Sequence, residues 1–254
     1  MAWDPATYLS FEAERTRPAA DLLARVPAGD PAYVVDLGCG TGNSTELLAK
    51  RWPAARLEGI DSSAEMLAKA GRNAFAAKWI EADIATWSPD TTPDVIFSNA
   101  ALQWLPAHDT LLPRLLSFLG TGGVFAFQVP ANFEAPSHTV LHELQHDPRW
   151  SEKFRQPVDR AGALGLEACY SILAPHASRL DIWETRYLQI LGGEDAVFRW
   201  TSGTALRPYL AALDGTARAA FEAEYRARMA KAYPRQPSGA TLFPFKRLFV
   251  VATR

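Results

Sequence analysis

Between residues 31 and 130 the chain alternates short apolar runs with longer stretches whose apolar residues recur at helical spacing. The runs near 32–37, 55–60, 77–82, 94–99 and 122–129 predict strands, and the stretches near 43–51, 63–71 and 108–119 predict helices. Strands and helices in such succession predict an α/β fold built on a parallel sheet with crossover helices. Before this region, Phe11, Ala19, Leu22 and Leu23 predict one or two short helices within residues 1–30. After it, residues 162–173 read as a helix and 179–190 as a long strand rich in aromatic and β-branched residues. Residues 193–232 read as helical, with Phe221, Tyr225 and Met229 at spacings of four forming a core stripe, and 242–252 as the last strand.

Composition narrows the classes. A chain of 254 residues with 48% apolar content builds one large domain, or one domain with an appended subdomain. With 26 basic against 28 acidic residues there is no global pull toward nucleic acid or an acidic membrane, which favours a small-molecule partner. Cys39 and Cys169 form no C-x-x-C pair and no disulfide framework, as in a reducing compartment. No apolar run reaches the length of about eighteen residues that a membrane span needs, and none resembles a signal peptide, so the expectation is a soluble, cytoplasmic chain. Nothing in the pattern speaks to oligomeric state.

The chemistry concentrates where the first strand ends. Asp36 is followed by glycines at 38, 40 and 42, and then by a helix that Asn43 or Ser44 can cap. Such a turn lets a ligand lie against the backbone over a helix N-terminus. The spacing G-x-G-x-G differs from the G-x-G-x-x-G of dinucleotide sites, and no Gly-Lys-Ser/Thr tail follows. Asp61 ends the second strand, where a carboxylate can accept both ribose hydroxyls. Beyond the third strand, Asp83 can accept from an adenine amino group while Ile84 packs on the ring. Three acids and no basic residue beside the glycines suit a cationic adenosine ligand.

Through Asp36-Leu-Gly-Cys-Gly-Thr-Gly42, Asp61 and Ala82-Asp83-Ile84 the sequence resembles the class I S-adenosylmethionine (SAM) dependent methyltransferases. Within that superfamily, Ala13-Glu-Arg-Thr-Arg-Pro18, Arg51-Trp-Pro-Ala-Ala-Arg56, Gly59-Ile-Asp-Ser-Ser63, Leu102-Gln-Trp-Leu-Pro106, Ala205-Leu-Arg-Pro208 and Arg247-Leu-Phe-Val250 resemble the trans-aconitate 2-methyltransferase family. The resemblance is dense to about residue 130 and thin from 131 to 200. It implies a Rossmann-like single domain over 1–254: a mostly parallel seven-stranded sheet with an antiparallel last strand and helices on both faces. Residues 1–30 would form a lid, 31–130 the SAM-binding core, and 192–240 a helical insertion covering the acceptor site. The implied cofactor set is Asp36, Gly38, Gly40, Gly42, Asp61, Ser62, Met66, Asp83, Ile84 and Asn99, with S-adenosylhomocysteine as product.

The implied acceptor is trans-aconitate, a small anion whose methylation on a carboxylate gives a monomethyl ester. A carboxylate with a pKa near roughly 4 is already ionised at neutral pH, so no general base is expected. Its other carboxylates need cationic or polar partners, for which Arg15, Arg207 and Arg247 are candidates, with Gln128 and His138. Gln103 and Trp104 are placed to contact the acceptor or close the pocket, with a structural tryptophan as the rival for Trp104. Solvated faces or surface salt bridges are the rivals for the arginines. His138, His142 and His146 share a helix face at spacings of four, but no carboxylate or cysteine completes a tetrahedral set, so an exposed stripe is expected in place of a metal site. Methylation of another small acid or small molecule, which for an oxygen or nitrogen nucleophile calls for a base near Gln103 or His138, and SAM binding without catalysis remain open alternatives.

Overall fold

Tyr33, Val34 and Val35 open the first strand, and once in the sheet every residue of that strand is buried. The computed structural model describes residues 12–154 and 164–254, with side chains from Thr16 onward. Strands β1 (Tyr33–Leu37), β2 (Arg56–Asp61), β3 (Lys78–Glu81), β4 (Val95–Asn99), β5 (Val124–Pro130), β6 (Arg179–Leu191) and β7 (Thr241–Thr253) form one sheet, in the order β3-β2-β1-β4-β5-β7-β6. The pairs β1/β2, β1/β4, β2/β3 and β4/β5 are parallel, and β7 runs antiparallel to β5, from Val124 opposite Thr253 to Pro130 opposite Arg247. The chain winds outward from β1 to β3, then returns to the other side of β1 to lay down β4 and β5. This reversal leaves a crevice at the carboxyl ends of β1 and β4, where open parallel sheets hold their ligands.

The helices are α1 (Glu12–Ala24), α2 (Asn43–Arg51), α3 (Ala64–Ala70), α4 (His108–Ser117), α5 (Pro136–His146), α6 (Leu166–Leu173), α7 (Ala196–Ser202), α8 (Arg207–Ala211) and α9 (Gly215–Ala232). Packing divides the chain into two compact units, one of residues 15–131, 164–185 and 247–254, the other chiefly of 132–154 and 186–246. In the first, Val35, Leu37, Ile60, Ile96, Phe125 and Phe127 of the sheet share a core with Leu112, Leu115 and Leu116 of α4. Burying a side chain of this size contributes roughly 1.5–3 kcal/mol, which is what holds the strand ends in place. On α1, Ala19, Leu22 and Leu23 are buried as their spacing predicts, while Arg17 is exposed and lies 3.9 Å from Asp21, the solvated helix face.

In the second unit the stripe of Phe221, Tyr225 and Met229 on α9 is 0, 0 and 3% exposed, the core that its spacing predicts. The stretch read as helical at 193–232 is built of three helices. Gly203 caps the end of α7, Pro208 occupies the first turn of α8 where its missing N–H costs nothing, and Asp214 stands at the start of α9. On α5, His142 and His146 are exposed, with rings 4.4 Å apart, and His138 is half-buried against Phe133. Among the described residues no helix is long and apolar enough to cross a membrane. The expected N-terminal lid includes residues 1–11, which lie outside the described residues. The helix expected at 162–173 begins at Leu166.

The Tyr225 hydroxyl donates to the Ser137 carbonyl at 2.9 Å in a fully buried position, tying α9 to α5. Replacing Tyr225 by Phe leaves that carbonyl short of a partner, and chemical denaturation is expected to show a loss of about 1–3 kcal/mol. An unchanged midpoint would mean that the bond contributes nothing.

Candidate active site

The glycine turn runs from Gly38 to Gly42 between β1 and α2, and its three glycines have positive φ of 72°, 56° and 88°. They are needed for different reasons. A methyl group on Gly38 would come within 2.2 Å of the Ala101 methyl, and one on Gly42 within 2.5 Å of Asn73 Nδ2 and 3.0 Å of Trp79. Those two are held by packing. A methyl group on Gly40 would meet nothing within 4 Å, so the turn is open there, as a ligand lying against the backbone requires. Gly38 N–H and Cys39 N–H both donate to the Ile60 carbonyl, and Asn73 Nδ2 donates to the Thr41 carbonyl at 2.9 Å, so the turn is latched from both sides.

Asp36 lies beneath this turn with no exposed surface. Its Oδ2 accepts from the Ser44 hydroxyl at 2.7 Å and the Thr45 hydroxyl at 2.6 Å, while Oδ1 is buried with no hydrogen-bond partner among the described residues. Ser44 therefore does not cap α2 as its position suggests. The cap is Gly42, without a side-chain hydrogen bond, and the hydroxyls turn down to the carboxylate. Burial pushes the Asp36 carboxyl up to about 6, against the two hydroxyl hydrogen bonds and with help from the negative charge of Asp61.

Asp61 closes the other wall. Its Oδ2 accepts from Gly40 N–H and its Oδ1 from Ser63 N–H, both at 2.9 Å, which leaves lone pairs on each oxygen for further donors. Ser63 caps α3 by accepting from Met66 N–H at 3.3 Å, and this fixes Ser62, exposed, and Met66, half-buried, just beyond Asp61. Asp83 is exposed two residues past β3, with Oδ1 accepting from Ala85 N–H at 2.8 Å, and the adjacent Ile84 is buried. Every acid of the expected set thus stands at or just beyond a strand's carboxyl end.

Past β4 the chain makes a strained turn. Ala100 has φ 56°, a left-handed conformation that costs a non-glycine residue about 1–2 kcal/mol. It is pinned by its own N–H to the Gln128 carbonyl at 2.9 Å and by Gln103 Nε2 to its carbonyl at 2.6 Å. Gln103 Oε1 is buried with no hydrogen-bond partner among the described residues. Asn99 and Gln128 are register partners on β4 and β5, and Arg247 on β7 is diagonal to Gln128, so all three side chains share one face of the sheet. Arg247 Nη1 donates to Gln128 Oε1 at 2.9 Å, and Gln128 Nε2 donates to Asn99 Oδ1. Gln128 is fully buried and Arg247 only 5% exposed.

Trp104 closes a short 3-10 turn, Leu102–Trp104, and is 53% exposed, which does not fit a core tryptophan. The side chain of Arg15 lies outside the described residues. His138 and Arg207 belong to the second unit, His138 with Nδ1 3.2 Å from Ser137 Oγ and Arg207 exposed on the first turn of α8. Arg207 makes no ion pair among the described residues. The residues that shape the turn from outside the motif, Asn73, Trp79 and Ala101, carry no signal in the sequence. Nor does Asn132, a buried amide just after β5 whose polar atoms have no hydrogen-bond partner among the described residues.

An open glycine turn bounded by acids at the reversal of a parallel sheet, with an antiparallel β7, defines a class I methyltransferase, and a family model described as a methyltransferase domain matches residues 34–123. The fold is also that of the YcgJ protein from Bacillus subtilis, with a TM-score of 0.60 at 13% identity over 94% of this chain and 98% of that one. Two sequence relatives are more specific. Trans-aconitate 2-methyltransferase of Azoarcus sp. strain BH72 is 48% identical over 252 residues, covering 99% of each chain. Its namesake in Streptomyces avermitilis is 47% identical over 264 residues, covering 99% of this chain and 96% of the relative. The chain belongs to the trans-aconitate 2-methyltransferase family.

Two predictions follow from the turn. Gly40→Ala adds a methyl in open space and costs only the strain of its left-handed φ, about 1–2 kcal/mol, yet should bind S-adenosylhomocysteine at least about tenfold more weakly, whereas Gly38→Ala adds the clash with Ala101 to the same strain and should lose roughly 3–5 kcal/mol. Calorimetric binding and thermal melts separate the two, and equal behaviour would contradict the division of roles. The second concerns pH. Ionising Asp36 inside the fold, at about 6 against an ordinary 3.8, costs about 3 kcal/mol, a penalty absent below pH 4 and complete above pH 6. Asp36→Asn should therefore raise the melting temperature more at pH 8 than at pH 5, and a gain independent of pH would show that Asp36 is not the group responsible.

Proposed function

We propose that the chain transfers a methyl group from SAM to one carboxylate of trans-aconitate, forming a monomethyl ester. The single observation that carries the acceptor class is Arg247, a guanidinium buried beside the carboxyl ends of β4 and β5 and joined through Gln128 to Asn99. A guanidinium can only donate, and a carboxylate is the acceptor that matches both its charge and its fork of N–H groups. The family names of the relatives at 48 and 47% identity support trans-aconitate in particular.

SAM fits the first unit. The open side of Gly40 leaves room along the backbone, Asp61 retains acceptor capacity for two hydroxyls, and Asp36 holds an unsatisfied buried oxygen below the turn. Asp36, Asp61 and Asp83 together bias the site toward a cation. When bound, SAM supplies a methyl group on a positively charged sulfur, an electrophile that needs no metal and no acid. The protein's part is then placement. Asp61, Asp83 and Ile84 fix the nucleoside, and Asn99, at the reversal of strand order, stands where the methionine end meets the acceptor. Arg247 supplies charge for a carboxylate with Gln128 buried behind it, and Gln103 and the exposed ring of Trp104 border the same turn. Because the nucleophile is already ionised, the rate derives from orientation and from stripping water off the reacting carboxylate.

This reading makes a kinetic prediction. Arg247→Ala should raise the KM for trans-aconitate at least about thirtyfold, as the loss of roughly 2–5 kcal/mol for a buried charge partner implies, while kcat falls by much less. The rate at saturation should be flat with pH above about 7, since no base titrates. An unchanged KM would remove Arg247 from the acceptor site, and a rate that rose with pH through a histidine range would mean that a general base takes part.

A further inference from the structure

The hydrogen bonds along the carboxyl ends of β4, β5 and β7 have a direction, and that direction sets what Asn99 can offer a ligand. Arginine has N–H groups only and can only donate. With Arg247 Nη1 at 2.9 Å, the Gln128 side chain must present its oxygen to the guanidinium. Its amide nitrogen then faces Asn99, and Asn99 must answer with Oδ1. The assignment does not depend on telling oxygen from nitrogen in either amide, because one donor-only group at the end of the chain fixes both. Gln128 is fully buried, so neither end of its amide can trade its partner for water. Asn99 is half-buried, and its Nδ2 makes no hydrogen bond among the described residues.

We infer that Asn99 is a dedicated carboxylate donor, held in that orientation by Arg247 through Gln128. Its free –NH₂ bears two N–H groups, at the end of a line of dipoles whose origin is a positive charge. An ammonium or sulfonium would meet these hydrogens unfavourably, whereas a carboxylate oxygen would accept from them. The site is therefore sorted by polarity. Acceptor-only groups, Asp36, Asp61 and Asp83, surround the glycine turn, and a donor-only line ends at Asn99. Two carboxylates have the required chemistry, that of the methionyl end of the cofactor and one of the acceptor's. The inference rests on the methyl-transfer reading for the identity of these ligands, but not for the orientation of Asn99. Gln128 acts here as a positioning residue.

The test reverses the polarity. Gln128→Glu is nearly isosteric and keeps Arg247 paired, but its second oxygen can only accept, so Asn99 must turn Nδ2 inward and show Oδ1 to the ligand. Asn99→Asp makes the same reversal at a half-exposed position, where folding is not at stake, with Asn99→Ala as the neutral control. Calorimetry would measure S-adenosylhomocysteine binding to each protein, and then trans-aconitate binding to the protein saturated with it. In both Gln128→Glu and Asn99→Asp, one of the two affinities should fall about 10- to 100-fold, and Asn99→Asp should fall well below Asn99→Ala. Loss of S-adenosylhomocysteine binding assigns the cofactor's carboxylate, and loss of trans-aconitate binding assigns the acceptor's. If Asn99→Asp binds both ligands as tightly as the native protein, or more tightly, the inference is overturned. If the native protein fails to bind trans-aconitate at all, the proposed acceptor is wrong, and the S-adenosylhomocysteine arm alone decides the orientation, with no change there overturning it.

Discussion

A carboxylate with no access to water sits under the glycine turn, and the geometry of the site follows from how it is held. Asp36 accepts two hydroxyl hydrogen bonds from the first turn of α2, and in doing so draws that helix start down onto the end of β1. With Ser44 and Thr45 occupied below, Gly42 serves as the helix cap, and the chain must reach it through three residues of positive φ. Gly38 can then approach Ala101 and Gly42 can approach Trp79, which brings the turn after β1 against the turn after β4 and against β3. The remaining open direction is at Gly40. Ionising Asp36 costs the fold free energy at neutral pH, and a cation bound beside it would return part of that cost.

Much of this was legible in the amino-acid pattern because the relevant signals are local. The strand ends were visible as apolar runs meeting Asp36, Asp61 and Asn99, and the structure places each within a residue or two of where those runs stop. The three glycines were visible as a turn, but not their separate causes, since these lie in Ala101, Asn73 and Trp79, which come near only after the sheet forms. The cap differs from the expected Asn43 or Ser44 for a similar reason: both have the right chemistry for a helix start, and nothing nearby in sequence reveals that the cap lies earlier, at Gly42, or that Asp36 takes the Ser44 hydroxyl. The stretch read as helical at 193–232 is interrupted at 203–206 and 212–214, where Gly203 ends one helix and Asp214 begins another, and the places of these breaks depend on the tertiary path as much as on propensity.

The line from Arg247 to Asn99 could not be read from sequence at all. Gln128 and Arg247 are 119 residues apart, and they meet because β7 returns antiparallel beside β5 with Pro130 opposite Arg247. That register, set by apolar residues such as Phe127, Val250 and Ala252, decides which polar residues share a face. The antiparallel strand therefore does more than close the sheet. It delivers the buried cation to the carboxyl ends of β4 and β5, opposite in sign to the acids that border the glycine turn. A ligand pair in which one member is cationic and the other polyanionic matches this division of charge.

The central claim is that a carboxylate receives the methyl group. The direct measurement is transfer of labelled methyl from SAM to trans-aconitate, cis-aconitate, isocitrate and citrate in parallel, followed by mild alkali and assay for labelled methanol. The account predicts label in trans-aconitate above the other three acids, released as methanol because the product is an ester. Label that resists alkali, or no transfer to any of the four acids by protein that binds S-adenosylhomocysteine, would contradict it.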